Sequence, residues 1–410
     1  MVRKDIDMRN IRFNIFKTSV SVIILALMAG VIITSCGEDK EYNPLYDDTI
    51  PPQPVTNVEI TNLNGKAEVS YELPNERDLS YVLAVCEPSP GVTREVKTSI
   101  YSNKVLLEGF YLSQDFQVKL YTVDKAELKS EPVTITVHPE EPEYLTVGGT
   151  LEMAPDFGGP MITWENEYES ELLLFCFAED SLGQMKPSES FISTAQEGNY
   201  TIRGFDDTER KFGVIVQDKW QNYTDTIFYT ITPKKEVELD QSKWKLFTGF
   251  KDDTDLFSGE GNFKYLKDGK TNKVWKTTYG ANPPYLSYTI DLGVETTFSR
   301  VKMWHDEGSA FTGSRFKILE LYGSNELESD WSAWTMIHDG PYTVVKPSGL
   351  VGKNYTEEDK EAIKNGFEII ATQGIGSFRY LRIKYIENFE NRTASASCSE
   401  LRIYGEVIEE

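Results

Sequence analysis

Across most of this chain apolar residues fall on every second position, in short runs that stop at Gly, Pro, Asn or Asp. FQVKLYTV (116–123) is of this kind, while YVLAVC (81–86), LLLFCF (172–177) and most of FGVIVQ (212–217) are continuous apolar runs of strand length. A period of two, bounded by turn residues and rich in Val, Ile, Tyr and Phe, predicts short β-strands; long helix-periodic stretches are scarce.

Two segments repeat. DFQVKLYTVDKAELKSEPVTITVHP (115–139) and KFGVIVQDKWQNYTDTIFYTITP (211–233), aligned on Asp124-Lys125 and Asp218-Lys219, stay in register without a gap to Pro139 and Pro233. Each reads as strand, Asp-Lys turn, strand, proline. Upstream, Ala67 to Tyr71 and Met161 to Trp164 are matching early strands. About seven short strands in roughly 90 residues, used twice, predict two tandem β-sandwiches. Past the charged join PKKEVELDQSKWK (233–245), which suits a boundary or a short helix, the texture changes. Leu286, Tyr288 and Ile290 share one face of a strand, as do Val301 and Met303, and Phe316 and Ile318; Leu319 and Leu321 break that last pattern. Longer loops separate these strands, and an antiparallel jelly-roll of about eight strands accounts for the spacing.

The one long apolar run, SVIILALMAGVIIT (21–34), follows Arg3, Lys4, Arg9, Arg12 and Lys17 and meets Ser35-Cys36. That order predicts a secretory signal peptide, and the run is short for a membrane span. Ile33-Thr34-Ser35-Cys36 resembles the bacterial lipobox, which implies lipidation at Cys36. The polar stretch after it reads as a tether, and its early acids resemble the signal that sends Bacteroidetes lipoproteins to the outer face of the outer membrane. Cys86, Cys176 and Cys398 lie in apolar surroundings as an odd set, which favours small buried hydrophobes over disulfides.

Charge and composition exclude more than they assign. The 65 acidic and 42 basic residues give a formal net charge of -23, with no basic stripe, which disfavours nucleic acid. Only three histidines occur, His138, His305 and His338, without ligand spacing, a nucleophile elbow or a phosphate loop. The chain therefore reads as no enzyme.

Residues 53–140 and 141–234 resemble fibronectin type III-like modules. In 240–410, Asp268-Gly269 with Trp275, TIDLG (289–293), RFKILELYGSNE (315–326) and ASCSELRIYG (396–405) occur in the order of the F5/8 type C, or discoidin-like, family. The expected fold is all-β: two tandem Ig/fibronectin III-like sandwiches, then a discoidin-like, galactose-binding-like jelly-roll, after a signal peptide (1–35) and a lipid-anchored tether (36–52). The whole resembles three-module surface lipoproteins of Bacteroidetes. That resemblance implies a non-catalytic cell-surface protein, anchored in the outer membrane and binding carbohydrate in a polysaccharide-utilisation system beside glycan-uptake transporter proteins. A structural or protein-binding lipoprotein, and less so an accessory glycan hydrolase, are the alternatives.

No cofactor is required by this reading. A structural Ca2+ is implied by the family at Asp268, Thr271 and Glu400; a metal-free turn capped by Asp268 is the alternative, and Lys267, Lys270 and Lys273 crowd the loop with positive charge. Ligand contacts are expected in loops at one end of the jelly-roll, from Trp304, His305, Phe311, Arg315, Tyr279, Asn391 and Arg392, with aromatic faces for ring C–H groups and planar polar groups for hydroxyl pairs. Trp275 is expected in the core.

Overall fold

The computed structural model describes residues 49–250, 260–276, 285–390 and 395–408. Cys36 and the leader, Tyr279, Asn391 and Arg392 lie outside the described residues. The chain divides into two compact units, Met1–Glu141 and Pro142–Glu410, each taken here by itself.

In the first unit the alternating stretches become β1 (Thr56–Leu63), β2 (Lys66–Glu72), β3 (Leu79–Ser89), β4 (Val92–Ser99), β5 (Lys104–Glu108), β6 (Phe116–Asp124) and β7 (Val133–Val137). They form two sheets, β1-β2-β5 and β4-β3-β6-β7. Their inner faces close on Val69, Tyr71, Val82, Ala84, Leu107, Phe110, Val118 and Leu120. Burial of each second residue from both sheets drives the sandwich.

The second unit begins with a helix that the periodicity does not announce, Glu143–Thr150, which buries Tyr144 and Val147. A sandwich of the same topology follows: β8 (Glu152–Asp156), β9 (Gly159–Glu165), β10 (Leu172–Glu179), β11 (Met185–Ser193), β12 (Glu197–Thr201), β13 (Arg210–Asp218) and β14 (Ile227–Ile231). Its sheets are β12-β9-β8 and β11-β10-β13-β14. The repeat seen in the sequence is the β6–β7 and β13–β14 corner. Asp124 Oδ1 accepts from the N–H groups of Ala126 and Leu128, and Asp218 Oδ1 from those of Trp220 and Asn222. Glu127 and Gln221 both take positive φ, +63° and +68°. Six residues after each aspartate, the Ser130 or Thr224 hydroxyl accepts from the strand backbone at Thr122 or Val216. The aspartate is kept because its carboxylate satisfies two turn donors at once.

The jelly-roll is built from β15 (Val237–Glu238), β16 (Lys245–Phe247), β17 (Trp275–Lys276), β18 (Leu286–Trp304), β19 (Phe316–Ser324), β20 (Thr335–Met336), β21 (Tyr342–Thr343), β22 (Phe367–Ile370), β23 (Phe378–Asn388), β24 (Ser397–Cys398) and β25 (Glu400–Val407). The 233–245 join is less a spacer than part of this module, since β15 pairs with β25 and β16 with β18. TIDLG and SRVKMW, separate strands by pattern, are two halves of β18. Leu286–Asp291 pairs with β23, and Thr296–Trp304 with β25 and β22, so this one strand carries several pairings of a nine-stranded sheet. The register breaks between Asp291 and Thr296 around Gly293, whose φ of +74° and whose distance of 3.0 Å from a would-be Cβ to the Lys243 side chain both require glycine.

Register shifts around Ile318 explain the untidy β19 pattern. They put Phe316, Leu319 and Leu321 all in the core and leave Ile318 half-buried, contrary to the expected Phe316–Ile318 face. Trp275 plugs the core as expected, 1% exposed and edge-on to Tyr288 at 4.3 Å. Cys86, Cys176 and Cys398 are free and buried, and burial pushes the last two thiols up to about 12.

The second sandwich and the jelly-roll are joined by buried charge. Glu236 takes a paired contact from Arg300, at 3.1 and 2.9 Å, plus donors from Arg203 and Ser299. Burial alone would push this carboxyl up, but the Arg300 and Ser299 donors outweigh it and hold it below its usual range. Gln373 extends the seam by donating to Asp156 of β8.

Candidate functional site

Four loops meet at one end of the jelly-roll: 266–275 before β17, 305–315 after β18, 343–356 after β21, and the turn following β23. Each is tied to a neighbour. Thr271 donates to Glu307 at 2.7 Å, and the Phe389 N–H donates to the Arg315 carbonyl. Lys353 donates to the Gly308 carbonyl and Tyr355 to that of Ala310.

Within this end, the expected contact residues divide by burial. Val301 and Met303 point inward as alternation requires, but Trp304 does not face out; it is 8% exposed. The helix Glu357–Asn365 covers that face of β18, and the Trp304 indole N–H donates to the Lys364 carbonyl. Gly366, at φ +75°, leaves the ring its space; a Cβ there would stand 2.4 Å from it.

His305 is fully buried among the rings of Phe311, Phe316, Phe367 and Phe389. Its Nδ1 accepts from the Phe311 N–H, so Nε2 carries the proton and donates to the Phe316 carbonyl at 2.9 Å. Desolvation lowers its pKa to about 3, so the ring is neutral. Phe311, 4% exposed with φ +55°, is held in place by that same bond. These placements correct the expectation of direct ligand contact for Trp304 and His305, which set the loop's shape from inside; Phe311, though 4% exposed, borders a groove beside the loop. Arg315 makes a bidentate pair with Asp306, at 2.6 and 2.8 Å, and is half-buried at the rim.

Beside this loop runs a groove of about 570 Å³, lined by Phe311, Gly313, Lys317, Val344, Leu350 and Phe389. Sequence reading missed the opposite wall. That wall is a tight loop organised by Lys346, whose buried ammonium donates to the carbonyls of Leu350, Gly352 and Asn354. Asp359, a member of a capping box with Thr356, accepts from Ser348. A lysine among glycines and serines carries no periodic signal, so only the fold shows the cage.

The Asp-Gly corner does not gather a cation's ligands. Glu400 accepts from the Gly269 N–H at 3.1 Å and from Gln241 Nε2. Asp268 accepts from the Lys270 N–H, and Thr271 is turned to Glu307. Lys267 brings its ammonium to the Gln241 and Trp244 carbonyls, which are oxygens a hard cation would want. Among the described residues no three His, Cys, Asp or Glu side chains come together as a metal set. Donors converge here, and the chemistry fits a clasped turn rather than Ca2+.

Three family models, each described as a domain of unknown function, match in sequence: DUF4959 over residues 52–139, DUF5126 over 140–242 and DUF5000 over 265–405. No curated protein matches the chain. Among solved structures, a SusE-like protein is 26% identical, covering 65% of this chain and 100% of its own, with a TM-score of 0.41. A CBM32 module of a family 31 glycoside hydrolase from Clostridium perfringens is 18% identical over 41% of this chain and 95% of its own, at 0.30. An F5/8 type C domain from Bacteroides fragilis is 16% identical over 43% and 100%, at 0.29.

Proposed function

We propose that this chain is a non-catalytic cell-surface lipoprotein that binds carbohydrate at the loop end of its C-terminal jelly-roll. The observation that carries the reading is the groove beside Phe389, where an aromatic ring and aliphatic walls meet Lys317, whose ammonium donates to Glu387. Sugars are held in this way, by C–H contact on a ring and by polar groups for hydroxyls. The His305 and Lys346 networks fix both walls in advance, which lowers the ordering cost of a weak ligand. In this reading the anchor is Cys36, from the lipobox resemblance; the location is the outer membrane, from the acids that follow it; and glycan-uptake transporter proteins are the partners that the resemblance to three-module Bacteroidetes lipoproteins implies. No structural Ca2+ enters this reading.

A second reading, docking of another protein, draws on one observation: Val345, Leu350 and Val351 are 72%, 51% and 92% exposed on the rigid wall. Affinity electrophoresis of the mature chain through gels holding soluble polysaccharides separates the two. Retardation by a glycan, lost in Phe389→Leu while that variant remains folded, supports the first. Migration unaltered by every glycan, together with capture of a defined transporter subunit that Val351→Ser abolishes, supports the second.

A further inference from the structure

A separate set of aromatic side chains lies outside the jelly-roll core, on the opposite face of the β23–β19 sheet. The register places Tyr322 beside Arg382 and Glu320 beside Lys384 on that face. Arg382 is fully buried, its guanidinium 3.8 Å from the ring centre of Trp331. Trp331 comes from the short turn Trp331–Ala333, fixed by Asp330 accepting from the Ser332 N–H. Its indole N–H donates to the Tyr285 hydroxyl at 3.0 Å. The Tyr285 and Tyr322 rings stand at steep angles to it, 5.7 and 4.9 Å away between centres. Glu320 accepts from both Lys384 and the Tyr322 hydroxyl, at 2.8 and 2.9 Å.

Cover alone does not require this arrangement. Trp334 and Phe250, which also lie near Arg382, are 5% and 8% exposed and already shield it. Trp331, Tyr285 and Tyr322 stay only half-buried, with Trp331 pinned from behind by Arg382 and from the side by Tyr285. A ring held flat with one face committed, walled by two phenols and bordered by a paired ammonium and carboxylate, suits a polyhydroxylated ring. We infer that this face is a second carbohydrate site, taking a neutral pyranose stacked on Trp331 with hydroxyls at Lys384 and Glu320. Lys384 and Glu320 already neutralise each other in that pair, which suits hydroxyl groups rather than a sugar's carboxylate or sulfate.

The test follows the Trp331 indole N–H by NMR in the ¹⁵N-tryptophan-labelled mature chain, assigned by its loss in Trp331→Phe. The probes are methyl β-galactoside, methyl β-glucoside and soluble galactomannan. The expected result is a saturable shift with at least one probe. It persists in Phe389→Leu, and Lys384→Gln weakens it about tenfold. A resonance unmoved by every probe overturns the site, as does a shift that vanishes in Phe389→Leu or is unchanged in Lys384→Gln. Because Phe389 lines the groove and has no part in the Trp331 face, failure here leaves the groove reading standing, and failure of the groove leaves this one.

Discussion

At the residue scale, the side chains that look most like ligand contacts in sequence are those the fold uses to hold its loops. Histidine beside tryptophan after a strand has the right chemistry for a sugar, and the same chemistry also fills a core once each nitrogen finds a partner. For His305 the neutral ring is the stable form in the fold, while the unfolded chain binds a proton below about 6.5. Stability from this site is therefore fully present above that value and is lost as pH falls. The loss is about 1.4 kcal/mol per unit, continuing down to the folded value of about 3. Denaturant melts at stepped pH check this: His305→Gln lowers stability at pH 7 but flattens the acid decline between those limits. At the Asp-Gly corner, where Lys267 fills the space near the carbonyls, melting in excess Ca2+ and in chelator gives the same Tm. A rise with Ca2+ would restore the cation.

At the element scale, what alternates and what repeats was legible. The strands of both sandwiches, the paired Asp-Lys corners and the buried Trp275 follow from period, turn chemistry and size. Features that break a period were not. The shifts around Ile318 flip the parity of β19, Gly293 sits in the register break that divides β18, and the helix Glu143–Thr150 is too short to declare itself. The groove wall belongs with these, because its order comes from Lys346 meeting carbonyls that only folding brings together. The corner aspartates carry a clear expectation. Asp124→Ala and Asp218→Ala each strand two turn donors, so each costs about 1–2 kcal/mol. Asp124→Ala lowers the melting of the first sandwich and Asp218→Ala that of the second, read by hydrogen exchange at each corner.

At the scale of the whole molecule, the second sandwich differs from a loose spacer because its charges continue into the jelly-roll. Glu236→Ala leaves Arg300 and Arg203 without their shared carboxylate, at a cost of about 3–5 kcal/mol. Calorimetry should show the second sandwich and the jelly-roll melting together in the wild type and apart in this variant; coincident melting in both would show that the apolar packing alone joins them. The central claim is carbohydrate binding at the loop end, and the most direct measurement of it is calorimetric titration of the mature chain with the glycan that retards it. The account predicts saturable binding that Phe389→Leu weakens about tenfold or more, with the variant still folded at the titration temperature. Equal affinity in wild type and Phe389→Leu, or no heat with any glycan, would contradict it.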